Sequence, residues 1–202
     1  MSAKEVQAKD NAAWASALIP LPPDQLLVYL SGVERLFRLN PHLEIAEWQE
    51  LADSRCFRFN ARNETNGFHG ELSFHAETVR EGSGYTLVYE HGLKRSTEFR
   101  IDAASGGSLL TITEDYHPVQ DATDDRLKEV DRSLIPWAAA IRRHLCGLAR
   151  FGHLPGYRWW TERFMPGMFP RQRRIVRMIV WVSVLEFLVF LFVALIFWLE
   201  TR

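Results

Sequence analysis

Two cysteines in 202 residues allow one disulfide at most, too few for the stapled framework of a small secreted fold. Cys56 and Cys146 fall on a predicted strand and a predicted helix, without metal-ligand spacing, so buried reduced thiols are expected. The opening residues, MSAKEVQAKDNAAW, lack the apolar core of a secretory leader, which predicts a front domain not exported by a cleavable signal. No G-x-S-x-G, Walker A or G-x-G-x-x-G motif occurs, so three common signatures of enzyme and nucleotide sites are missing. His69-Gly70-Glu71 imitates the H-x-E of zinc deaminases, but no P-C-x-x-C follows. His69 and His75 share one strand face roughly 20 Å apart, too far to chelate one metal. Neither a cofactor nor a metal is expected.

The largest absence lies near the other end. From Met178 to Leu199 there is no Lys, Arg, Asp, Gly or Pro, and only Ser183 and Glu186 are polar. A helix of this stretch is roughly 33 Å long, enough to cross the hydrocarbon of a bilayer. It is apolar on every face, which a core helix does not require. Arg171, Arg173, Arg174 and Arg177 precede it and only Arg202 follows. The positive-inside rule then predicts a single-pass tail anchor with the N-terminal domain in the cytoplasm. Trp198 at one end, and Trp159, Trp160 and Phe164 before the other, fit interfacial aromatics.

Glu186 sits about 4 Å from the middle of that span. An ionised carboxylate there costs roughly 3 kcal/mol, which the surrounding apolar residues can carry. Ser183, Glu186 and Ala194 fall near one helical face. That face suits a partner transmembrane helix or a second copy of this one, and an acid tolerated without a partner remains the alternative.

The formal net charge is −1, but it is unevenly spread. Acids dominate Asp115 to Asp131, and arginines dominate Arg142 to Arg177. A nucleic-acid binder carries its basic face on the folded domain. Here the basic cluster abuts the apolar stretch, so the membrane surface is the expected partner and nucleic acid is not. Within Gly152–Arg174 the aromatics exceed what a solvated linker needs. Contact with headgroups is expected, with Trp159, Trp160, Phe164 and Met165 inserted and Arg158, Arg163 and Arg171 on phosphates.

The front of the chain reads as a strand at Trp14–Pro20, then a helix start at Pro22-Pro23-Asp24. Leu26, Leu27 and Leu30 recur at helical spacing. Gly32 splits this region into two short helices that end at Asn40-Pro41. Six strand candidates follow, Leu43–Leu51, Arg55–Arg62, Phe68–Val79, Tyr85–His91, Ser96–Ala103 and Leu109–His117, each bounded by turn residues. Short connections argue an antiparallel meander. Phe68, Gly70, Leu72, Phe74 and Ala76 share one face; His69, Glu71, Ser73, His75 and Glu77 share the other, so one side of the sheet is covered. The cover is a helix from about Asp121 to Phe151, whose stripe runs through Leu127, Val130, Leu134, Trp137, Ile141, Leu145 and Leu148. Pro136 inside it predicts a bend.

That order is α+β. It resembles the START-like, or SRPBCC, superfamily: the helix-grip fold of Bet v 1 allergens, polyketide cyclases and START domains. The stretches carrying the resemblance are IPLPPDQLLVYL, NPHLEIAEW, GSLLTITEDYHPV and VDRSLIPWAAAIRRHL. It covers about Ala13 to Arg150. The implied fold is a curved antiparallel sheet wrapped around a long C-terminal helix, here followed by one transmembrane helix, which soluble members commonly lack.

The resemblance also implies a hollow for a hydrophobic ligand between sheet and helix. Burying apolar ligand surface contributes about 25 cal/mol per Å², with a few polar groups setting orientation. The implied wall residues are Phe57, Phe59, Phe68, Leu72, Phe74, Leu87, Phe99, Ile101 and Trp137. The residues by themselves fit a solid core equally well. Glu114-Asp115-Tyr116-His117 is the stretch best suited to acid–base work. By alternation Glu114 and Tyr116 share a face with Leu110 and Ile112. In a cyclase, Glu114, Tyr116 and His117 would move protons on a polyketide; surface groups at a strand end are the simpler expectation.

The expected organisation is a polar N-terminal tail (1–12), a START-like domain (13–151), an interfacial linker (152–174) and a transmembrane helix (175–200). Membrane contacts are assigned to Trp159, Trp160, Arg173, Arg174, Arg177 and Glu186. The expected function is membrane-tethered binding or transfer of a lipid-like ligand. A polyketide cyclase or dehydratase, and a protein-interaction module at the membrane, are the alternatives.

Overall fold

The computed structural model describes residues 11–51, 56–78, 83–117 and 132–201. The chain divides into two compact units, Met1–Gly167 and Met168–Arg202. In the first, β1 (Ala12–Ile19) leads through α1 (Pro23–Leu30) and α2 (Val33–Arg38) into β2 (Leu43–Glu50), β3 (Cys56–Asn63), β4 (His69–Thr78), β5 (Ser83–Tyr89), β6 (Lys94–Ala104) and β7 (Gly107–Tyr116). Next come α3 (Leu134–Phe151) and a short α4 (Tyr157–Trp159), which runs into a π-helical turn at Trp160–Phe164. The second unit is α5 (Pro170–Glu200).

Prolines and a glycine set the first crossover. Pro22 is extended and caps α1, and Pro23 fills a first-turn position where its missing N–H costs nothing. Gly32 separates α1 from α2 as the N-cap of the latter. These helices carry the chain from one edge of the sheet to the other, since the strand order is β1-β7-β6-β5-β4-β3-β2. All pairings are antiparallel. The curved open sheet is a meander to which β1 is added beside the last strand. Gly107 (φ +150) marks that junction, because a Cβ there would collide with the Ile19 carbonyl oxygen. The buried side of the sheet alternates as the sequence predicts: Phe57, Phe59 and Ala61 on β3, and Leu110 and Ile112 on β7, are buried.

Trp48 departs from alternation. With Leu43 and Ile45 buried, Trp48 belongs on the wet face. A bulge between Ala46 and Gln49 resets the register, and Glu47 takes φ 55 to accommodate it. Trp48 thereby turns inward and stacks on Phe59, ring centroids 4.8 Å apart.

The grip helix α3 buries Leu134, Trp137, Ile141 and Leu145, with Leu148 packed at the margin. Residues 118–131 lie outside the described residues, and with them the expected helix start at Asp121 and the stripe positions Leu127 and Val130. The bend expected at Pro136 is corrected. Pro136 lies in the first turn of the described helix, whose ladder opens with the Trp137 N–H donating to the Ser133 carbonyl at 2.8 Å. A proline there lacks only a donor that would have no intrahelical acceptor. Cys56 and Cys146 are free thiols, each half-buried.

In the second unit, α5 is an unbroken helix of 31 residues. Phe169 is its extended N-cap, Pro170 its first residue, and Gln172 Oε1 accepts the Phe169 N–H at 3.0 Å. Arg171, Arg173, Arg174 and Arg177 therefore lie on its first turns, and Glu186 within its apolar length. The helix is long and apolar enough to cross a membrane.

Candidate functional site

The core side of the sheet is largely filled by rings. Phe37 of α2 stacks on Phe74 of β4 at 5.2 Å and meets Trp137 of α3 at 5.1 Å. Phe59 and Phe57 approach Phe74 at 5.7 and 5.5 Å, and Trp48 closes the group on the β2 side. Phe99 sets its edge against Trp137 at 5.6 Å and stacks on Tyr85 at 5.0 Å. Each such pair contributes roughly 0.5–1.5 kcal/mol beyond burial. The polar ends of the buried rings are paired. Trp137 Nε1–H donates to the Leu36 carbonyl at 2.8 Å, and the Tyr85 hydroxyl donates to the Leu30 carbonyl at 2.8 Å. Burial raises the Tyr85 pKa well above the usual phenol range, so the hydroxyl stays a donor.

Space remains at one end of this cluster. A hollow of about 70 Å³ opens where the end of α2, the β3–β4 turn, the β5–β6 turn and the first turn of α3 converge. Phe37, Leu43, Phe68, Leu72, Tyr89 and Trp137 form its apolar wall; Asn40, Asn63, Asn66, His91 and Lys94 bring polar groups. The asparagines are architectural. Asn63 Oδ1 accepts from the Thr65 N–H (2.9 Å) and hydroxyl (2.7 Å), and Asn66 Oδ1 accepts the Phe68 N–H (3.0 Å). These Asx turns fix the hairpin that delivers Phe68. Asn40 Nδ2 donates to Ser133 Oγ at 2.7 Å, tying the end of α2 to the residue before α3.

Of the expected wall residues, Phe68, Leu72 and Trp137 line the hollow. Phe57, Phe59, Phe74, Leu87, Phe99 and Ile101 are packed in the core cluster instead. The expectation that Glu114 is a surface group is corrected: it is fully buried. It forms an ion pair with Lys94 Nζ, and its Oε2 accepts the Tyr116 hydroxyl at 2.6 Å. His117 is exposed past the end of β7 and stands apart from this group.

Lys94 owes its position to a second bulge. Thr97, Phe99 and Ile101 are the buried positions of β6, so alternation sends Lys94 outward. The register shifts between Lys94 and Ser96, which pair with Tyr116 and Asp115. The extra residue, Arg95, takes the outward place and Lys94 turns toward the hollow. Its ammonium also lies 5.7 Å from the centre of the Tyr89 ring. Glu114 lies behind Lys94 and does not line the hollow. The arrangement sets a charge-compensated ammonium beside the apolar wall of the hollow.

A second polar cluster joins α1, α2, α3 and the π-helical turn. The Arg35 guanidinium lies 3.9 Å from the Tyr29 ring centre, donates to the Tyr29 carbonyl at 2.8 Å, and approaches Glu162 at 3.9 Å. Tyr29 meets the His144 ring at 5.7 Å. Burial, reinforced by the Arg35 charge, lowers the His144 pKa from 6.5 to about 4. Burial also raises the Tyr29 phenol, with Arg35 opposing. Residues 152–167, read from sequence as part of a linker, thus carry helical structure tied back to α2 through Glu162. Trp159 is exposed, Trp160 stacks on Phe164 at 4.7 Å, and Met165 is buried. Among the described residues no group of three His, Cys, Asp or Glu side chains is placed to hold a metal.

Solved structures with this architecture include a START superfamily protein from Mycobacterium smegmatis (15% identity, covering 68% of this chain and 99% of that one, TM-score 0.52). The protein XoxI from Bacillus cereus matches at 14% identity over 69% of this chain and 98% of its own, TM-score 0.52. The KanY protein matches at 13% identity over 67% and 97%, TM-score 0.50. No family model matches the sequence, and no curated protein matches it. At these identities the likeness establishes the fold: the first unit has the START-like helix-grip fold.

Proposed function

We propose that this protein binds a hydrophobic, lipid-like molecule between the sheet and α3, and does so tethered to a bilayer by α5. The observation that carries the reading is the hollow at Trp137, apolar-walled and holding one ammonium. Lys94 is neutralised by Glu114, so the site favours a neutral hydrogen-bond acceptor, such as a quinone carbonyl or an acyl ester, over a free anion. A second negative group would compete with Glu114 for the same charge.

At about 70 Å³ the hollow is smaller than the roughly 300–1,000 Å³ of small-molecule sites. It takes the end of a chain, and loading widens it. The widening falls on the β3–β4 and β5–β6 turns, which have fewer buried contacts than the strands they join. The tether raises the local concentration of membrane-borne guests, and the basic first turns of α5 fit the cytoplasmic face of the membrane.

The reading is tested with Leu72→Trp, which fills the hollow. Solvent extracts of the purified wild-type chain should contain an apolar compound in near-stoichiometric amount, and extracts of the variant should be depleted in it. Equal extracts from both would refute the site.

One observation favours a protein-interaction module as a second reading. Trp14, Leu18 and Ile135 are exposed around β1, an apolar group of the kind that a partner surface covers. Trp14→Ala would then abolish capture of a partner while leaving the apolar extract unchanged.

A further inference from the structure

The long helix α5 keeps its leucines and aromatics off one face. Ile179, Val182, Glu186, Val189, Val193 and Ile196 recur in alternating steps of three and four residues. On the unbroken helix these positions form one stripe of period 3.5, and Ser183 and Ala194, which the sequence groups with Glu186, lie to one side of it. Every apolar member of the stripe is β-branched. Every leucine of the span, and all six of Trp181, Phe187, Phe190, Phe192, Phe197 and Trp198, falls off it. The stripe is exposed along its length: Ile179 is 55%, Val189 55% and Val193 57% accessible.

Such a stripe is a packing seam. β-Branched side chains enter the helix already restricted in χ1, so they lose little entropy on being pressed against a neighbour. The remaining faces carry all the leucines and aromatics, with Val180 and Val184 among them, and suit contact with acyl chains. A repeat of 3.5 residues keeps its face toward a partner through a left-handed crossing of about +20°.

We propose that α5 is a parallel self-association helix, and that the partner it fits is α5 of a second copy of this chain, with Glu186 facing Glu186. This rests on the reading of α5 as a bilayer span.

Three features select a second copy over another helix. Copies inserted in one sense are necessarily parallel, and in a parallel pair each residue of the seam meets its own equivalent. The seam tolerates that pairing: Arg171, Arg173, Arg174 and Arg177 all fall off it, so no cation is brought onto its twin. The one ionisable residue within the apolar span lies on the seam and near its centre. In its acid form a carboxyl group both donates and accepts a hydrogen bond, so two Glu186 side chains satisfy each other in hydrocarbon. A polar residue at one central seam position also fixes the register, since a stagger along the seam sets it against a valine or an isoleucine.

The test uses the full chain in phosphatidylcholine vesicles. Donor- and acceptor-labelled copies are mixed and energy transfer is followed as lipid is added. Glu186→Leu, Val182→Phe and Val189→Phe should each weaken association about tenfold, the scale of 1–2 kcal/mol for helix contacts in lipid. Glu186→Gln and the off-seam Leu188→Phe should leave it unchanged. An alkaline carbonate wash separates the two levels of inference. A chain stripped from the vesicles overturns the span, and the dimer with it. A chain retained yet showing no transfer, or equal transfer in seam and off-seam variants, overturns the dimer alone. Seam-dependent assembly in native membranes, without transfer in pure vesicles, would assign the seam to a different protein and refute the second copy.

Discussion

Lys94 and Glu114 form an ion pair in which the carboxylate is fully buried and the ammonium reaches the hollow at Trp137. Removing one partner strands the other's charge or donors in a low-dielectric site, which costs about 3–5 kcal/mol. Glu114→Leu and Lys94→Met are each expected to lower stability by that order, and the double variant to recover most of it. Thermal unfolding of the four proteins measures the coupling. Additive losses in the double variant would mean that the pair is not a unit.

Trp48 offers a test of the bulge in β2. Its ring bridges Phe57 and Phe59 only because Glu47 adopts a left-handed conformation. Trp48→Ala should destabilise by roughly 2–4 kcal/mol, as for a large core ring reduced for its partial exposure. Trp14→Ala, on the wet face of β1, should cost less than about 0.5 kcal/mol. Chemical denaturation distinguishes the two, and equal costs would remove Trp48 from the core.

The same two bulges mark what the sequence concealed. The one-sided sheet was legible because apolar and polar residues alternate faithfully from Phe57 to Ala61 and from Phe68 to Ala76, the meander because its connections are short, and the paired short helices because Pro22-Pro23 and Gly32 punctuate them; the place of β1 beside β7 carries no such mark. Alternation carries no mark of an extra residue. Strict alternation therefore sends Trp48 and Lys94 to the wrong face, and Lys94 is the residue that gives the hollow its charge. Parity with Ile112 allowed Glu114 to face inward, yet a surface group at a strand end was the expectation, because its burial depends on Lys94. The wall residues were harder. Phe59 and Phe68 both alternate inward, yet only Phe68 borders open space, and that difference arises from rings contributed by α2 and α3. Phe37 escaped notice because nothing in a six-residue helix indicates which aromatic its neighbours will surround.

His144 gives the fold a pH dependence of calculable sign. Its ring is held neutral in the folded chain, with a pKa of about 4 against an ordinary 6.5, beside Tyr29 and the Arg35 guanidinium that faces Glu162. Between those values the unfolded chain binds a proton that the folded chain does not. Stability is therefore unaffected above pH 6.5, falls as the pH drops toward 4, and levels off below it. The full shift corresponds to about 3 kcal/mol, reduced to about 2 because the ring is not wholly buried. Unfolding of His144→Phe across that range should lack this component, while the component from carboxylates below pH 4 remains. Identical profiles would place the acid sensitivity elsewhere.

Occupancy of the hollow is tested most directly by native mass spectrometry of the full-length chain released from detergent. Spectra should contain a species heavier than the polypeptide by one apolar molecule. That species should be absent from Leu72→Trp and weakened by Lys94→Met. Wild-type chain that flies empty from freshly solubilised membranes, preparation after preparation, would contradict a ligand between sheet and helix.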